Sequence, residues 1–367
     1  MKAIVLVGGE GTRLRPLTYT TPKPLLPIAN EPFLERQLTW LARHGIDEVV
    51  LSLGYLPDAF HAHFPDDGFG DLTLRYAVED DPLGTAGGIR YAAEVAGIDE
   101  RFVVCNGDVL TTLDLTEMVG FHDQHGGEAT IHLCRVDDPS AFGVVPTRPD
   151  GEVMAFVEKP PREKAPSHWI NAGTYVLEPS VLERIPSRLT VSIERETFPR
   201  MLERPGGLFA LQSDAYWIDI GTPEKYLEAN ADVLAGALGA PPAPSALEMA
   251  PGVWKLGEVS IAPEAQVEPP VLFGPGVSVA AGARVSQAVL GPGCAVGPGG
   301  CVLRSVMLDR ARLEGDAHVV DAVIGPEAVL EAGVQANDHT IIGASTVVTA
   351  GSRLSGARVP VRVPSAQ

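Results

Sequence analysis

From Val259 onward an apolar residue returns at every sixth position: Ile261, Val267, Phe273, Val279 and Val285. After a five-residue step the series continues at Leu290, Val296, Val302 and Leu308, then at Leu313, Val319 and Ile324. Gly-Pro-Gly stands between these positions three times, at 274–276, 291–293 and 297–299. Neither an amphipathic helix nor a flat strand has a period of six. A coil of three short strands does, with one inward apolar residue per hexapeptide and a turn of small residues at each corner. The pattern predicts a parallel β-helix over residues 259–357 rather than an unstructured Ala/Gly/Pro-rich tail.

The first two thirds read differently. Ala3–Val7, Glu48–Ser52, Leu72–Ala77 and Phe102–Cys105 are short runs dense in branched apolar residues, with helical patterns between them at 33–44 and 86–96. Strands alternating with helices predict an α/β domain over 1–235, with a mixed, mainly parallel sheet and helices on both faces. Ligands bind such sheets at the carboxyl ends of the strands. Residues 236–258, with Ala-Pro-Pro-Ala-Pro-Ser at 240–245, read as a linker, and 358–367 as a tail.

At the end of the first strand stands Leu6-Val-Gly-Gly-Glu-Gly-Thr-Arg-Leu-Arg-Pro-Leu-Thr18, followed by Pro22-Lys23-Pro24. Three glycines in four residues let backbone N–H groups approach a polyphosphate, and Arg13, Arg15 and Lys23 add positive charge. There is no Gly-Lys-Ser/Thr, and the glycines miss the dinucleotide-binding spacing. Pro16, Pro22, Pro24 and Pro27 predict a stiff, extended loop instead of a helix.

This segment resembles the signature of the sugar-1-phosphate nucleotidylyltransferases, Gly-Gly-x-Gly-Thr-Arg-Leu-x-Pro-Leu-Thr followed closely by Pro-Lys, and matches it throughout 8–23. The resemblance implies a Rossmann-like, three-layer nucleotidyltransferase domain, to which several members append a left-handed parallel β-helix. It also implies Mg²⁺-dependent transfer of a nucleotidyl group from an NTP to a hexose 1-phosphate, releasing pyrophosphate. Nucleotide-binding roles then fall on Leu6, Gly8, Gly9, Gly11, Thr12 and Arg13, with Arg13, Lys23 and Asp108 catalytic. Asp108 follows Phe102-Val-Val-Cys-Asn-Gly, and Asp219 lies in Trp217-Ile-Asp-Ile-Gly-Thr-Pro, just before a helix start at Thr222-Pro223. Alone, each would read as a turn or cap residue; both match the family's Mg²⁺-binding acids.

Pro82-Leu-Gly-Thr-Ala-Gly-Gly-Ile89 precedes a helix, with Thr85 as a candidate cap and glycines that allow close approach. It resembles the loop bordering base and sugar in the mannose-1-phosphate guanylyltransferases, which places Gly84, Thr85 and Gly87 at the nucleotide. Those enzymes continue with Pro-Leu, where this chain has Gly88-Ile89. Resemblance likewise assigns Gly107, Glu158 and Lys159 of Phe156-Val-Glu-Lys-Pro160, Asn171 and Gly173 of Asn-Ala-Gly, and Glu194 of Ser192-Ile-Glu-Arg-Glu to the sugar phosphate. Ser192 is also a candidate helix cap.

The net charge of −19 argues against nucleic acid or an acidic membrane as partner, and no apolar run approaches a spanning length. Cys105 and Cys134 sit in apolar runs and read as buried free thiols; none of the four cysteines has metal spacing. No secretory pattern opens the chain, so a cytoplasmic enzyme is expected, with homo-oligomers formed through the β-helix. GTP with mannose 1-phosphate is the preferred pair; dTTP or UTP with glucose 1-phosphate is the alternative. A non-catalytic nucleotide-sugar-binding subunit would lose the basic and acidic residues kept here. A β-helix acyltransferase would need a histidine motif that His318 and His339 do not provide.

Overall fold

The computed structural model describes residues 1–65 and 67–359; the expected tail lies outside the described residues from 360 onward. The chain divides into two compact units. One comprises Met1–Glu10 and Leu34–Trp217, the other Gly11–Phe33 and the chain from Ile218 onward.

The first unit is built on a mixed sheet. Strand β1 (Lys2–Leu6) pairs in parallel with β2 (Glu48–Leu53) and with β4 (Phe102–Asn106), and β2 pairs in parallel with β3 (Leu72–Val78). Beyond β4 the direction reverses. Strand β6 (Trp169–Leu177) runs antiparallel to β4 and to β5 (Ala129–Arg135), and β7 (Leu208–Gln212) is parallel to β5. Central strands buried on both faces need continuous apolar runs, which is why β1 and β4 were legible. Helix α1 (Phe33–Arg43) and helix α2 (Gly84–Ala96) fall where their 3.6-residue patterns predict. The α2 residues Ile89, Ala92, Ala93 and Ala96 join Ile4, Val50, Phe102 and Tyr175 in one core. Leu6 is in register with both Ser52 and Asn106, so three strand ends share the carboxyl edge.

In the second unit the hexapeptide period becomes a parallel β-helix. Ile261, Val279, Val296, Leu313, Leu330 and Val348 are in register, steps of 17 or 18 residues. A second ladder runs Val267, Val285, Val302, Val319, Ala336, and a third Phe273, Leu290, Met307, Ile324, Ile342. The predicted series errs at one place. Leu308 is buried, but the rung is Met307. The five-residue step recurs on the same side of successive coils, at 285–290, 302–307 and 319–324, so it precedes 307 instead of following 308.

The corners differ from expectation too. Gly276 and Gly293 have positive φ, but the next residues of that column are Arg310, Glu327 and Ser345, also left-handed. Gln287, Arg304, Asp321 and Asp338 form another such column. A corner needs a left-handed backbone, and a long polar side chain meets that need at about 1 kcal/mol or more of strain. It also reaches its neighbour one coil on: Arg304 is bidentate to Asp321 (2.7 and 2.6 Å), and Arg310 bonds Glu327. Within the Pro/Ala-rich stretch, Leu247–Ala250 and Val253–Lys255 form a hairpin whose second strand pairs in parallel with Val271–Phe273.

Candidate active site

In the second unit the signature segment from Gly11 onward is wound, not extended. It makes three 3₁₀ turns, Thr12–Leu14, Leu17–Tyr19 and Lys23–Leu25. Proline's fixed φ suits a 3₁₀ turn as well as an extended chain, and Pro24 sits where no N–H donor is needed. Gly11, at φ 60°, turns the chain into the first of these. Its carbonyl accepts from Leu14 N–H and from the Thr18 hydroxyl, both at 2.9 Å. A Cβ on Gly11 would lie 3.0 Å from Thr18 and 3.1 Å from Lys23. Thr12 and Arg13 are exposed, whereas Lys23 is buried, its Nζ 3.5 Å from Asp219 Oδ1. Gly221 completes this cluster. A Cβ there would collide with the Arg13 guanidinium and lie 2.9 Å from Asp219 Oδ1. Arg15 is directed elsewhere, stacking over the Tyr19 ring at 5.3 Å. The helix after Asp219, α3 (Pro223–Leu234), starts as predicted, with Thr222 accepting from Lys225 N–H.

In the first unit Gly8 and Gly9 are exposed beyond β1. A Cβ on Gly9 would meet nothing within 4 Å, so this glycine leaves open space. Gly107 is a glycine for another reason. Its N–H donates to Leu6 O (2.9 Å), and a Cβ there would strike Val7. That contact seats Asp108 one residue further on, and Gln37 Nε2, donating to Asn106 O (2.9 Å), holds the same turn.

Gly84, Gly87 and Gly88 allow close approach first of all to the protein itself. Their Cβ positions lie 2.7 Å from Val191 O, 2.6 Å from Leu189 O and 2.7 Å from Glu79 Oε1. Thr85 is not the cap of α2; Leu83 occupies that position without a side-chain bond. The Thr85 hydroxyl instead donates to Glu194 Oε2 (2.8 Å) and accepts from Ile193 N–H (2.9 Å). Ser192 caps as expected, accepting from Arg195 N–H, and its hydroxyl also donates to Glu194 (2.7 Å). The 82–89 loop and the 192–196 motif are therefore one bonded piece.

Glu158 and Lys159 are neighbours in sequence, yet Nζ and Oε1 are 3.5 Å apart because Lys159 takes φ 48° before Pro160. Asn171 turns its amide inward, donating to the Tyr175 hydroxyl (2.9 Å) and accepting from Gly173 N–H (3.1 Å). Gly173 is left-handed and sits where β6 bulges; a Cβ there would overlap the Asn106 amide. Burial, and then the Glu194 charge, push the Tyr175 phenol well above its ordinary range; burial lifts the Cys105 thiol to about 12.

Three residues near these groups escaped the sequence reading. Glu79 accepts from Ser52 Oγ and Leu83 N–H, both at 2.8 Å, and fixes the start of the 82–89 loop. Its only sequence signal is an acid just after a strand. Arg195 places Nη2 3.7 Å from Glu158, which an isolated Glu-Arg-Glu does not announce. Gln37 lies on α1, far away in sequence.

Among the described residues no three His, Cys, Asp or Glu side chains gather as a metal shell. Asp108 and Asp219 are single hard-oxygen donors, one in each unit. Either carboxylate by itself suits Mg²⁺, which takes one or two carboxylates and completes its shell with water and substrate phosphate oxygens. No helix among the described residues is long and apolar enough to cross a membrane.

A family model described as nucleotidyl transferase matches residues 2–236. A mannose-1-phosphate guanylyltransferase of Mycobacterium tuberculosis is 40% identical over 315 residues, covering 85% of this chain and 81% of the relative. A UTP–glucose-1-phosphate uridylyltransferase of Synechocystis is 32% identical over 338 residues, 88% of this chain and 87% of the relative. The crystal structure of HddC from Yersinia pseudotuberculosis complexed with GMP-PN superposes with a TM-score of 0.54. It is 30% identical and covers 62% of this chain and 97% of that one.

Proposed function

Because the chain belongs to the nucleotidyl transferase family, we propose that it joins a nucleoside triphosphate to a hexose 1-phosphate, with GTP and mannose 1-phosphate as its pair. The observation that carries the reading is the Arg13–Lys23–Asp219 cluster around Gly221, two cations of the signature beside an acid that resembles the family's metal-binding one. In a chain of net charge −19, such a cluster gives a polyphosphate a local positive site.

The sugar phosphate's oxygen attacks the α-phosphorus in line and pyrophosphate departs, so the protein's task is placement and charge neutralisation. Arg13, exposed, receives the leaving pyrophosphate. Lys23, buried and fixed beside Asp219, meets the reacting phosphates. Gly8 and Gly9 admit the triphosphate backbone, Leu6 and Thr12 flank it, and Gly84, Thr85 and Gly87 border the base. On the acceptor side Lys159 takes the phosphate, while Glu158, Glu194, Asn171 and the backbone at Gly107 and Gly173 take hydroxyls. Asp108 and Asp219 would hold Mg²⁺, which when bound screens the phosphate charge.

UTP with glucose 1-phosphate is the second reading. It is favoured by the Synechocystis relative and by Gly88-Ile89 standing in place of Pro-Leu. Pyrophosphate release across GTP, dTTP, UTP, CTP and ATP against mannose, glucose and N-acetylglucosamine 1-phosphates tests the assignment. Dominance of GTP with mannose 1-phosphate is expected; another dominant pair overturns the specificity and keeps the mechanism. Homo-oligomers through the β-helix belong to the same reading, and sedimentation as a strict monomer at micromolar concentration would remove them.

A further inference from the structure

The segment that carries Lys23 continues into a hairpin, Pro27–Ile28 against Glu31–Pro32, closed by Ala29 and Asn30 alone. Both closing residues are left-handed, at φ 47° and 61°, as a two-residue turn of this kind requires. Asn tolerates that backbone; a buried Ala does not unless its surroundings impose it.

The surroundings are specific. Ala29 N–H donates to Asn230 Oδ1 at 2.8 Å. Asn230, 2% exposed, is itself held on α3 by its Nδ2 donating to Tyr226 O at 2.8 Å. The Tyr226 hydroxyl donates to Pro27 O. Asn30 Nδ2 donates to the carbonyl of Leu290 at 2.9 Å, and that carbonyl is a rung of the β-helix which also accepts Gly274 N–H at 2.7 Å. From the hairpin back to Lys23 the bonds are continuous. Phe33 N–H donates to Leu26 O, and Leu26 N–H to Lys23 O.

We propose that the β-helix serves the transfer reaction within its own chain, through Asn30 as the positioning residue that fixes the Lys23 segment against the Leu290 rung. The inference rests on the reading of Lys23 given above. A shift at the hairpin tip is passed along this bonded path to a side chain whose placement sets the rate, and about 1 Å of misplacement can cost on the order of a hundredfold.

Two full-length variants test it. Asn30→Gly keeps the left-handed turn and removes the bond; Asn30→Asp keeps the shape and presents an acceptor to an acceptor. Both are expected to lose about tenfold in kcat for pyrophosphate release, with KM for both substrates within about twofold and the melting temperature unchanged. An unchanged kcat in Asn30→Gly overturns the proposal. So does a loss that only tracks unfolding. Amide hydrogen exchange of residues 27–33 gives a reading that needs no activity. Faster exchange there in Asn30→Gly, with the coils still protected, supports the clamp, and unchanged protection refutes it. A wild-type protein silent with every substrate pair but showing that exchange pattern would refute the functional reading and leave the clamp standing.

Discussion

The β-helix and the mixed sheet solve the same problem, burying apolar residues in parallel strands, by opposite means. In the coils a residue's partner is always 17 or 18 positions away, so burial repeats as a rule of the sequence. In the sheet, Leu6 is flanked by Ser52 and Asn106, partners at two unrelated separations, and the reversal at β6 has no local signal. A periodic scaffold can be read from the chain; an aperiodic one is settled by tertiary pairing.

The largest expected effect sets function against scaffold. Lys23→Met keeps the aliphatic stem and removes the charge, and should cut pyrophosphate release by about 10³-fold, judged from the loss of one preorganised charge-stabilising group. The β-helix should melt unchanged, as followed by circular dichroism. Retained activity would remove Lys23 from the phosphates.

Glycines give the next test. A Cβ on Gly274 would lie 2.5 Å from the Pro292 nitrogen of the next coil, whereas one on Gly9 meets nothing within 4 Å. Gly274→Ala should destabilise by about 3 kcal/mol in denaturant melts, because rigid backbone cannot yield. Gly9→Ala should leave the melt alone and reduce activity. Equal melts for the two variants would erase the contrast.

That contrast marks what was legible. Gly-Pro-Gly announced corners, but the left-handed Arg310 and Glu327 did not, because their conformation is imposed by the coils above and below. The signature loop gave Gly11 and Lys23 by motif, while its winding into 3₁₀ turns was hidden by prolines compatible with either form. Thr85 was read as a local cap, yet its hydroxyl serves Glu194, more than a hundred residues away. Local rules reach as far as local bonds. Glu79, Gln37 and Arg195 act through tertiary contacts, and no spacing points to them.

Acid should weaken the sheet unit first. His132, on β5, is fully buried with Nε2 2.8 Å from Ser213 Oγ, and burial holds its pKa down at about 4. The folded value lies below the unfolded one, so the unfolded chain takes up the proton first. Stability is therefore full above about pH 6.5 and falls as the pH drops toward 4, by about 2 kcal/mol between about pH 7 and about pH 5. His122, also held low by burial, adds in the same direction. Urea melts across that range in wild type and His132→Asn should show a flatter dependence in the variant; identical slopes would clear His132. The smallest effect belongs to the coils. Arg304→Ala removes an exposed ion pair and should cost less than about 1 kcal/mol, diminishing further in high salt.

The bond from Asn30 to Leu290 spans 260 residues, and it has a consequence for how the protein is made. A ribosome delivers Asn30 260 residues before its seat on the β-helix. Domains generally fold as they emerge, N-terminal parts first. Here the early segment meets α3 first, through Asn230 and Tyr226, and its bond to the rung must wait until the coils around Leu290 leave the exit tunnel. A nascent chain cut short before that point has its whole signature sequence and α3, but not the rung that Asn30 bonds.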